Sequence, residues 1–249
     1  MENTKRNLIG KTIVATLILL FFFFIQGATV VIFKIEGTTS VRIRGILLWD
    51  LAICTLVFLR INGNTSRDFG FRKPVPGSSQ DLLYYLPLLV VAFSHFVCGF
   101  RQDIGIDYFA ANLFLTLGIG MAEELYFRSI ICGMWLTRGK ISAVIISSVM
   151  FGLCHLLNIA RGAGFVSTLL QVCFAFVYGV ILAEIFIMAR SLIPCILLHA
   201  FHDLCVYMSG ELSAKANIAL GAVQILILIG YSLYLIRRMS CTDLTREKR

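Results

Sequence analysis

Two adjacent carboxylates and an arginine lie inside a long apolar segment of this chain. Glu123 and Glu124 are followed by Arg128, and most residues around them are apolar or glycine. An ionisable side chain at the centre of a bilayer costs at least about 2.5 kcal/mol, so such groups usually face a cavity, pair with each other or take part in chemistry. Glu124 and Arg128 are spaced i,i+4, which favours an ion pair. Glu123 points about 100° away from Glu124 on a helix and needs a different partner.

Histidines stand in two other apolar segments. Phe151 precedes His155 by one helical turn and lies on the same helix face. His199 and Asp203 are spaced i,i+4 and can face one cavity, whereas His202 points elsewhere and is expected to pack or to reach the interface. Taken singly, each segment has a structural explanation, either a packed histidine or a His and Asp pair that tethers neighbouring helices.

The depth of these residues favours a shared site. At about 1.5 Å per residue, Glu123, His155 and Asp203 each lie roughly 18 to 20 Å from the cytoplasmic end expected for their segments. His199 lies one turn shallower than Asp203. Scattered structural residues would have no reason to agree in depth. We therefore predict that four polar groups from three helices meet in the interior of a bundle.

The whole chain has the composition of a polytopic membrane protein. Of its 249 residues, 58% are hydrophobic and 14% are charged, and the mean hydropathy is +0.86. A soluble domain with so few polar residues would have nothing to cover its surface. The net charge of +8 comes from bases at loop edges rather than from one patch, so positive-inside orientation explains it better than a nucleic-acid partner, and we expect none. The eight cysteines form no C-x-x-C pair, so we interpret them as small buried hydrophobes.

The apolar runs predict an all-α bundle of about eight transmembrane helices with a polar cavity inside the membrane. No internal repeat or long linker divides the chain, so we predict a single domain over residues 1–249. Glu184 is expected to snorkel or to pair with Arg190. The expected spans cover, roughly, residues 12–33, 45–60, 82–100, 107–135, 141–158, 164–188, 191–208 and 217–236.

Basic residues are distributed unevenly between the two sides of this bundle. Fifteen Lys and Arg residues fall on the side of the termini and six on the other side. Because cytoplasmic loops are enriched in Lys and Arg, we predict that both termini lie in the cytoplasm. The expected location is a plasma membrane, taken to be bacterial. The first outer loop departs from this trend with three bases, Lys34, Arg42 and Arg44.

The clustered residue types are suited to hydrolysis. A carboxylate and an imidazole can hold a water molecule and take its proton. A second imidazole and a short polar side chain can donate hydrogen bonds to the oxyanion that forms when the water adds to a carbonyl group. The same atoms can instead bind Zn²⁺, with Glu123, His155, His199 and Asp203 as candidate ligands. Residue types alone leave both mechanisms open.

The three segments together resemble the CPBP family, the CAAX prenyl protease and bacteriocin-processing (Abi) intramembrane proteases, which include the type II CAAX prenyl endopeptidases. The resemblance covers about residues 121–203, and residues 68–72 resemble a segment that family members often carry before the third span. The family motifs E-E-x-x-x-R, F-x-x-x-H and H-x-x-x-N or D resemble, in this order, Glu123 to Arg128, Phe151 to His155 and His199 to Asp203.

The resemblance implies an intramembrane endopeptidase of the glutamate type or the metalloendopeptidase type, with zinc as the candidate cofactor. It also implies cytoplasmic termini and a cavity that opens towards the cytoplasm. The implied roles are water activation by Glu123 and His155, oxyanion stabilisation by His199 and Asp203, and support from Glu124, Arg128 and Phe151. Prenyl proteases commonly have Asn where this chain has Asp203, and a carboxylate donates to an oxyanion only when it is protonated.

The leading hypothesis is therefore a protease whose partners are the lipid bilayer and a peptide or membrane-protein substrate, prenylated or not. A non-catalytic protein of the bacteriocin self-immunity or partner-binding type is the alternative, because it could keep the polar cluster for structure. A third hypothesis is a small transporter or proton relay that uses the same cluster.

Overall fold

The chain folds into long apolar helices joined by short connections. The computed structural model describes residues 2–75, 85–102 and 104–246, and side chains from residue 6 to residue 239 within those ranges. The predicted all-α transmembrane bundle is confirmed. Its main helices in the described residues are α1 (Glu2–Ile32), α2 (Gly37–Ile61), α3 (Leu86–Phe93), α4 (Ile106–Glu124), α5 (Lys140–Cys154), α6 (Phe165–Ala189), α7 (Ile193–Met208) and α8 (Ala214–Arg246).

Several helices change pitch or break near their ends. α3 continues as a 3₁₀ turn, Ser94–Cys98, and a short helix, Leu157–Ala160, follows α5. The sequence predicts one unbroken helix over residues 107–135, but α4 widens after Glu124 into a π-helix, Leu125–Cys132. Prolines do not interrupt α3 and α7, because Pro87 and Pro194 occupy their first turns, where a missing N–H leaves no hydrogen bond broken.

The outer surface of the bundle is apolar, as a lipid-facing surface must be. On α1, Phe21 and Phe24 have 59% and 61% of their surface exposed, which water would disfavour in a soluble monomer. Four helices among the described residues are long and apolar enough to cross a membrane, namely α1, α5 with the short helix after it, α6 and α8. α3 and α7 are shorter apolar helices. The chain is an integral membrane protein.

α2 begins at Gly37, eight residues before the predicted span. Its first turns carry Arg42, which forms an ion pair with Asp107 near the start of α4. This ion pair is exposed and lies beyond the apolar part of both helices. Hydrophobicity therefore predicted only the apolar part of α2. The polar first turns of α2 are stabilised by the ion pair with α4.

One end of the bundle holds the start of α1 and the end of α8, and we call it the terminal face. There the loop after α2 docks on the turn between α6 and α7. Leu192 N donates to Gly70 O at 2.8 Å, and Val75 N donates to Ala189 O at 3.0 Å. Gly70 has a φ of 81°, and a Cβ at this position would lie 2.8 Å from the ring of Phe186. Only glycine fits this contact, which fixes the point where α7 starts.

The docking loop contains residues 68–72, the segment that resembles a family feature. Asp68 Oδ2 accepts hydrogen bonds from Thr65 N at 2.6 Å and from Thr65 Oγ1 at 2.7 Å. These bonds lower the pKa of the Asp68 carboxyl below its ordinary value. Ser191 Oγ donates to Arg72 O at 2.6 Å, so both ends of this segment are held in place.

The other end of the bundle, which we call the opposite face, holds the connections after α1, α3, α5 and α7. Two of these connections are joined by backbone hydrogen bonds. Arg101 N donates to Met208 O at 3.0 Å, and Gly210 N donates to Gly99 O at 2.9 Å. These bonds tie the end of α7 to the connection between α3 and α4.

Candidate active site

α4 and α7 approach each other closely at Gly120. A Cβ at this position would lie 2.9 Å from Ile196 O and 3.3 Å from Ala200 N, so a larger residue would force the helices apart. The approach brings Glu123 and Glu124 at the end of α4 against the middle of α7. The π-helix begins directly after these two residues, and such segments are frequent at functional sites.

Glu124 is fully buried between a cation and an imidazole. Its Oε2 lies 3.0 Å from Arg128 Nε, so the ion pair expected from the i,i+4 spacing is present. Its Oε1 accepts a hydrogen bond from His199 Nδ1 at 2.8 Å. The guanidinium carbon of Arg128 lies 4.6 Å from the ring centre of Phe151, where a cation on the aromatic face is favourable. Glu124 thus fixes the orientation of the His199 ring.

Glu123 lies on the other side of the same imidazole. Its Oε2 is 3.8 Å from His199 Nε2, and Asp203 Oδ2 is 3.7 Å from the same nitrogen. Both distances exceed that of a direct hydrogen bond, and both can be bridged by one water molecule. His199 is therefore the partner that Glu123 lacks within its own helix.

His155 stands where α5 ends. Its Nδ1 donates to Phe151 O at 3.0 Å, so the Nε2 of the neutral ring carries a free lone pair. The ring of Phe151 contacts both imidazoles edge-on, with its centroid 5.3 Å from that of His155 and 5.6 Å from that of His199. Two close approaches by α6 hold Phe151 and this end of α5 in place. A Cβ at Gly179 would lie 2.9 Å from the Phe151 ring, and a Cβ at Gly152 would lie 3.1 Å from Val172 O.

A cavity of about 450 Å³ connects these side chains. Glu123, His155, His199 and Asp203 all line it, so the four groups expected to share one layer do meet inside the bundle. Aromatic residues, among them Phe174, form much of the remaining wall. A concave apolar site with a few convergent polar groups is the usual form of a binding or catalytic site.

A family model matches the same part of the chain. The model described as type II CAAX prenyl endopeptidase, Rce1-like, matches residues 106–205, from the start of α4 to the last turn of α7. Residues 106–205 are similar to this family, and we call them the Rce1-like core. The match confirms the resemblance carried by the three motifs, and it supports a protease activity of the general intramembrane CAAX type. No curated protein was found to match the chain.

The Rce1-like core does not present an assembled set of metal ligands. Across the described residues, no three His, Cys, Asp or Glu side chains are grouped so that they could hold one ion. The Nδ1 atoms of His155 and His199 are engaged with Phe151 O and Glu124, which leaves one nitrogen of each ring for any other ligand. Zinc bound by Glu123, His155, His199 and Asp203 stays a prediction, to be tested by metal analysis.

A second pair of histidines, one from the Rce1-like core and one from the turn after α3, lies at the cavity, and the sequence did not assign it to the site. His202, expected to pack or to reach the interface, lines the cavity instead, with its Nδ1 3.4 Å from Asp203 Oδ1. Its Nε2 is 3.3 Å from His95 Nε2, and Gln224 Nε2 donates to the same His95 nitrogen at 3.2 Å. Phe174 stacks on His202 with a centroid distance of 5.2 Å. The i+3 spacing from His199 was the available signal for His202, whereas no local pattern linked His95 to it.

Glu184 lies outside this cavity, and the expectation for it was wrong. Its side chain is fully buried and does not snorkel. Ser232 Oγ donates to its Oε1 at 3.3 Å, so its partner is on α8 and is not Arg190. The carbonyl of Arg190 instead accepts a hydrogen bond from Arg72 Nε in the docking loop.

The cavity lies on the side of the bundle away from the termini. In α5 and α7, the residues that line the cavity begin at Phe151 and at His199 and continue towards the end of each helix. In α6 and α8, the lining residues are in the first part of each helix and end at Tyr178 and at Gln224. These are the halves of the helices next to the opposite face. The resemblance implies that the cavity and the termini are both on the cytoplasmic side. In this structure they are at opposite ends of the bundle, so the two expectations cannot both be right.

Proposed function

We propose that this chain hydrolyses a peptide bond within the membrane, using a water molecule activated by Glu123 and His155 and no covalent acyl-enzyme. One observation carries the proposal. At the inner end of the cavity, Glu123 Oε2 and Asp203 Oδ2 lie 3.8 Å and 3.7 Å from His199 Nε2. A water molecule among these three atoms has a hydrogen-bond partner on each side.

Glu123 is the general base. Its carboxylate takes one proton from the water, whose oxygen attacks the carbonyl carbon of the substrate peptide. The Nε2 lone pair of His155 accepts a hydrogen bond from the second water hydrogen and orients the water, because Nδ1 of that ring is committed to Phe151 O. When the tetrahedral intermediate collapses, the proton on Glu123 passes to the leaving nitrogen. The C–N bond breaks, and an acid and an amine are released.

His199 stabilises the oxyanion. Its Nδ1 donates to Glu124, so Nε2 also carries a proton when the ring is the imidazolium cation. The carboxylates of Glu123 and Asp203 near Nε2 stabilise this cation, whose Nε2 proton is presented to the cavity from a fixed position. A donor that is positioned before the reaction stabilises developing charge without reorganisation, and loss of one such donor typically costs about 100-fold to 1,000-fold in rate. Asp203 Oδ2, 3.7 Å from Nε2, places a carboxylate beside this N–H and supports His199 as the donor.

The substrate is a peptide or the end of a small membrane protein, and a prenylated peptide is one member of this class. The cavity walls include Phe151, Phe174 and Tyr178. Such walls suit apolar side chains of an extended segment.

Cleavage of a peptide library by the purified protein in proteoliposomes tests the proposal. The library should contain farnesylated and unmodified apolar peptides, with products identified by mass spectrometry. We expect Glu123→Gln to lower cleavage by about 100-fold to 10,000-fold, since general base catalysis is lost. Glu184→Gln is the matched control, because Glu184 is also a buried carboxyl but lies outside the cavity. Normal cleavage by Glu123→Gln would remove the proposal.

The water-activation mechanism has its own test. Metal content and cleavage are measured on one sample, before and after treatment with a chelator. Cleavage that persists without bound metal supports activation by Glu123 and His155. Cleavage that stops with the chelator and returns with zinc would replace this mechanism by a metalloprotease mechanism.

A further inference from the structure

The position of the cavity along the membrane normal determines the face from which a substrate arrives. The deep end of the cavity is at Glu123 and Phe151. These residues expose only 9% and 2% of their surface, respectively. Its outer end is at Ala163, Ser167 and Asn217, which are exposed. Ala163 belongs to the connection after α5, and the other two lie in the first turns of α6 and α8. The cavity therefore opens at the opposite face.

The bundle is closed between the reacting groups and the terminal face. Phe127 and Arg128 have no exposed surface, and the ring of Phe127 packs on that of Phe151 with centroids 5.2 Å apart. Cys195, one turn from His199 towards the terminal face, is also fully buried, and its thiol donates to Leu182 O at 3.4 Å. Within the described part of the chain, this packing separates a peptide at the terminal face from Glu123.

The basic residues indicate which side of the membrane each face occupies. Among the described residues, thirteen Lys and Arg lie in segments on the side of the terminal face and six on the side of the opposite face. Two of those six are engaged within the protein. Arg42 pairs with Asp107, and Arg161 donates to Phe23 O of α1 at 2.5 Å. The bias places the terminal face in the cytoplasm and the mouth of the cavity outside it.

We propose that the substrate enters from the extracytoplasmic side, so that this protease acts on an exported peptide or on the outer segment of a membrane protein. That the entering molecule is a substrate rests on the proposed function. The direction of access rests on the position of the cavity mouth in the structure and on the distribution of basic residues. A cytoplasmic protein tail, prenylated or not, would be presented at the closed end of the bundle. Two polar side chains, Ser167 and Asn217, lie at the mouth, where they can form hydrogen bonds with the backbone of an entering peptide.

Cysteine labelling tests the direction of access without requiring activity. The single variants Ser167→Cys and Asn217→Cys place a thiol at the mouth. Thr137→Cys is the matched control, because Thr137 is exposed at the terminal face. Each variant is treated in intact spheroplasts with a membrane-impermeant maleimide, and the unsubstituted protein gives the background from the native cysteines. We expect labelling at positions 167 and 217, and labelling at 137 only after the membrane is opened. The reverse pattern would overturn the proposal.

Cleavage assays then separate this inference from the proposed function. A membrane-impermeant peptide is added to spheroplasts and to inverted vesicles. We expect cleavage in spheroplasts to be at least tenfold faster, and maleimide on Ser167→Cys but not on Thr137→Cys to block it. If the labelling is as expected but no peptide is cleaved, the proposed protease function is contradicted and the proposed direction of access is still supported. If cleavage is faster in inverted vesicles, the proposed direction of access is contradicted and the proposed protease function is still supported.

Discussion

Glu124 Oε1 accepts the hydrogen bond of His199 Nδ1 at 2.8 Å, while the neighbouring Glu123 stays 3.8 Å from the other nitrogen of that ring. The two adjacent carboxylates therefore have different roles. Glu124 is bound on both sides, by Arg128 and by His199, and orients the imidazole. Glu123 faces the cavity and is left to contact water. This division follows from their positions around α4, since consecutive helical residues point about 100° apart.

Substitution of each carboxylate by its amide should distinguish a role in cleavage from a role in stability. We expect Glu123→Gln to keep the thermal stability of the protein and lose cleavage. We expect Glu124→Gln to lower stability by about 3 to 5 kcal/mol, because Arg128 would remain buried without a counter-charge. Thermal unfolding in detergent and kcat/KM on one peptide measure the two effects. Equal stability of Glu124→Gln and the unsubstituted protein would contradict the assignment.

The buried ion pair should behave as a unit. Arg128→Met alone leaves the Glu124 charge uncompensated, so we expect a similar loss of about 3 to 5 kcal/mol. The double variant Glu124→Gln with Arg128→Met removes both charges, and we expect it to be more stable than either single variant. A double variant whose losses simply add would show that the two side chains do not interact.

Asp203 should tolerate one substitution and not another. An Asn amide can donate directly to the oxyanion, so we expect Asp203→Asn to cleave within about tenfold of the unsubstituted protein. Asp203→Leu has a similar size and no polar atom, and we expect a loss of about 100-fold or more in kcat/KM. If Asp203→Leu were as active as Asp203→Asn, Asp203 would have no part in the reaction.

Gly70 should be needed for docking of the loop on the turn before α7. Gly70→Ala strains a backbone with φ 81° and brings a Cβ to 2.8 Å from Phe186, so we expect a loss of more than about 1 to 2 kcal/mol. Gly63→Ala is the matched control, because Gly63 has φ 85° but nothing lies within 4 Å of its added Cβ. Equal thermal shifts for the two variants would mean that the contact with Phe186 adds nothing.

Glu184 should be dispensable for cleavage. Its Oε2 has no hydrogen-bond partner among the described side chains, and Ser232 supplies one weak bond to the other oxygen. Replacement of a buried and poorly satisfied carboxyl by an apolar side chain of similar shape is often neutral or stabilising. We therefore expect Glu184→Met to unfold at the same or a higher temperature and to cleave normally. A loss of cleavage at equal stability would assign Glu184 a functional role.

The sequence identified the membrane helices, because bilayer thickness fixes how long an apolar run must be and hydrophobicity is a property of each residue. It also identified Glu123, His155, His199 and Asp203 as residues of one layer, because helical rise converts residue number into depth. The ion pair of Glu124 and Arg128 was predictable for the same reason, since both partners lie on one helix.

The tertiary structure decided what depends on contacts between helices. It selected Glu124 as the residue that holds His199, and it brought His95 to His202, which lies 107 residues away. It also placed the mouth of the cavity at the face away from the termini. The physical reason is common to all three. The side on which a helix meets its neighbours is set by packing, such as the close approach at Gly120, and uniformly apolar helices carry no periodic pattern that specifies that side.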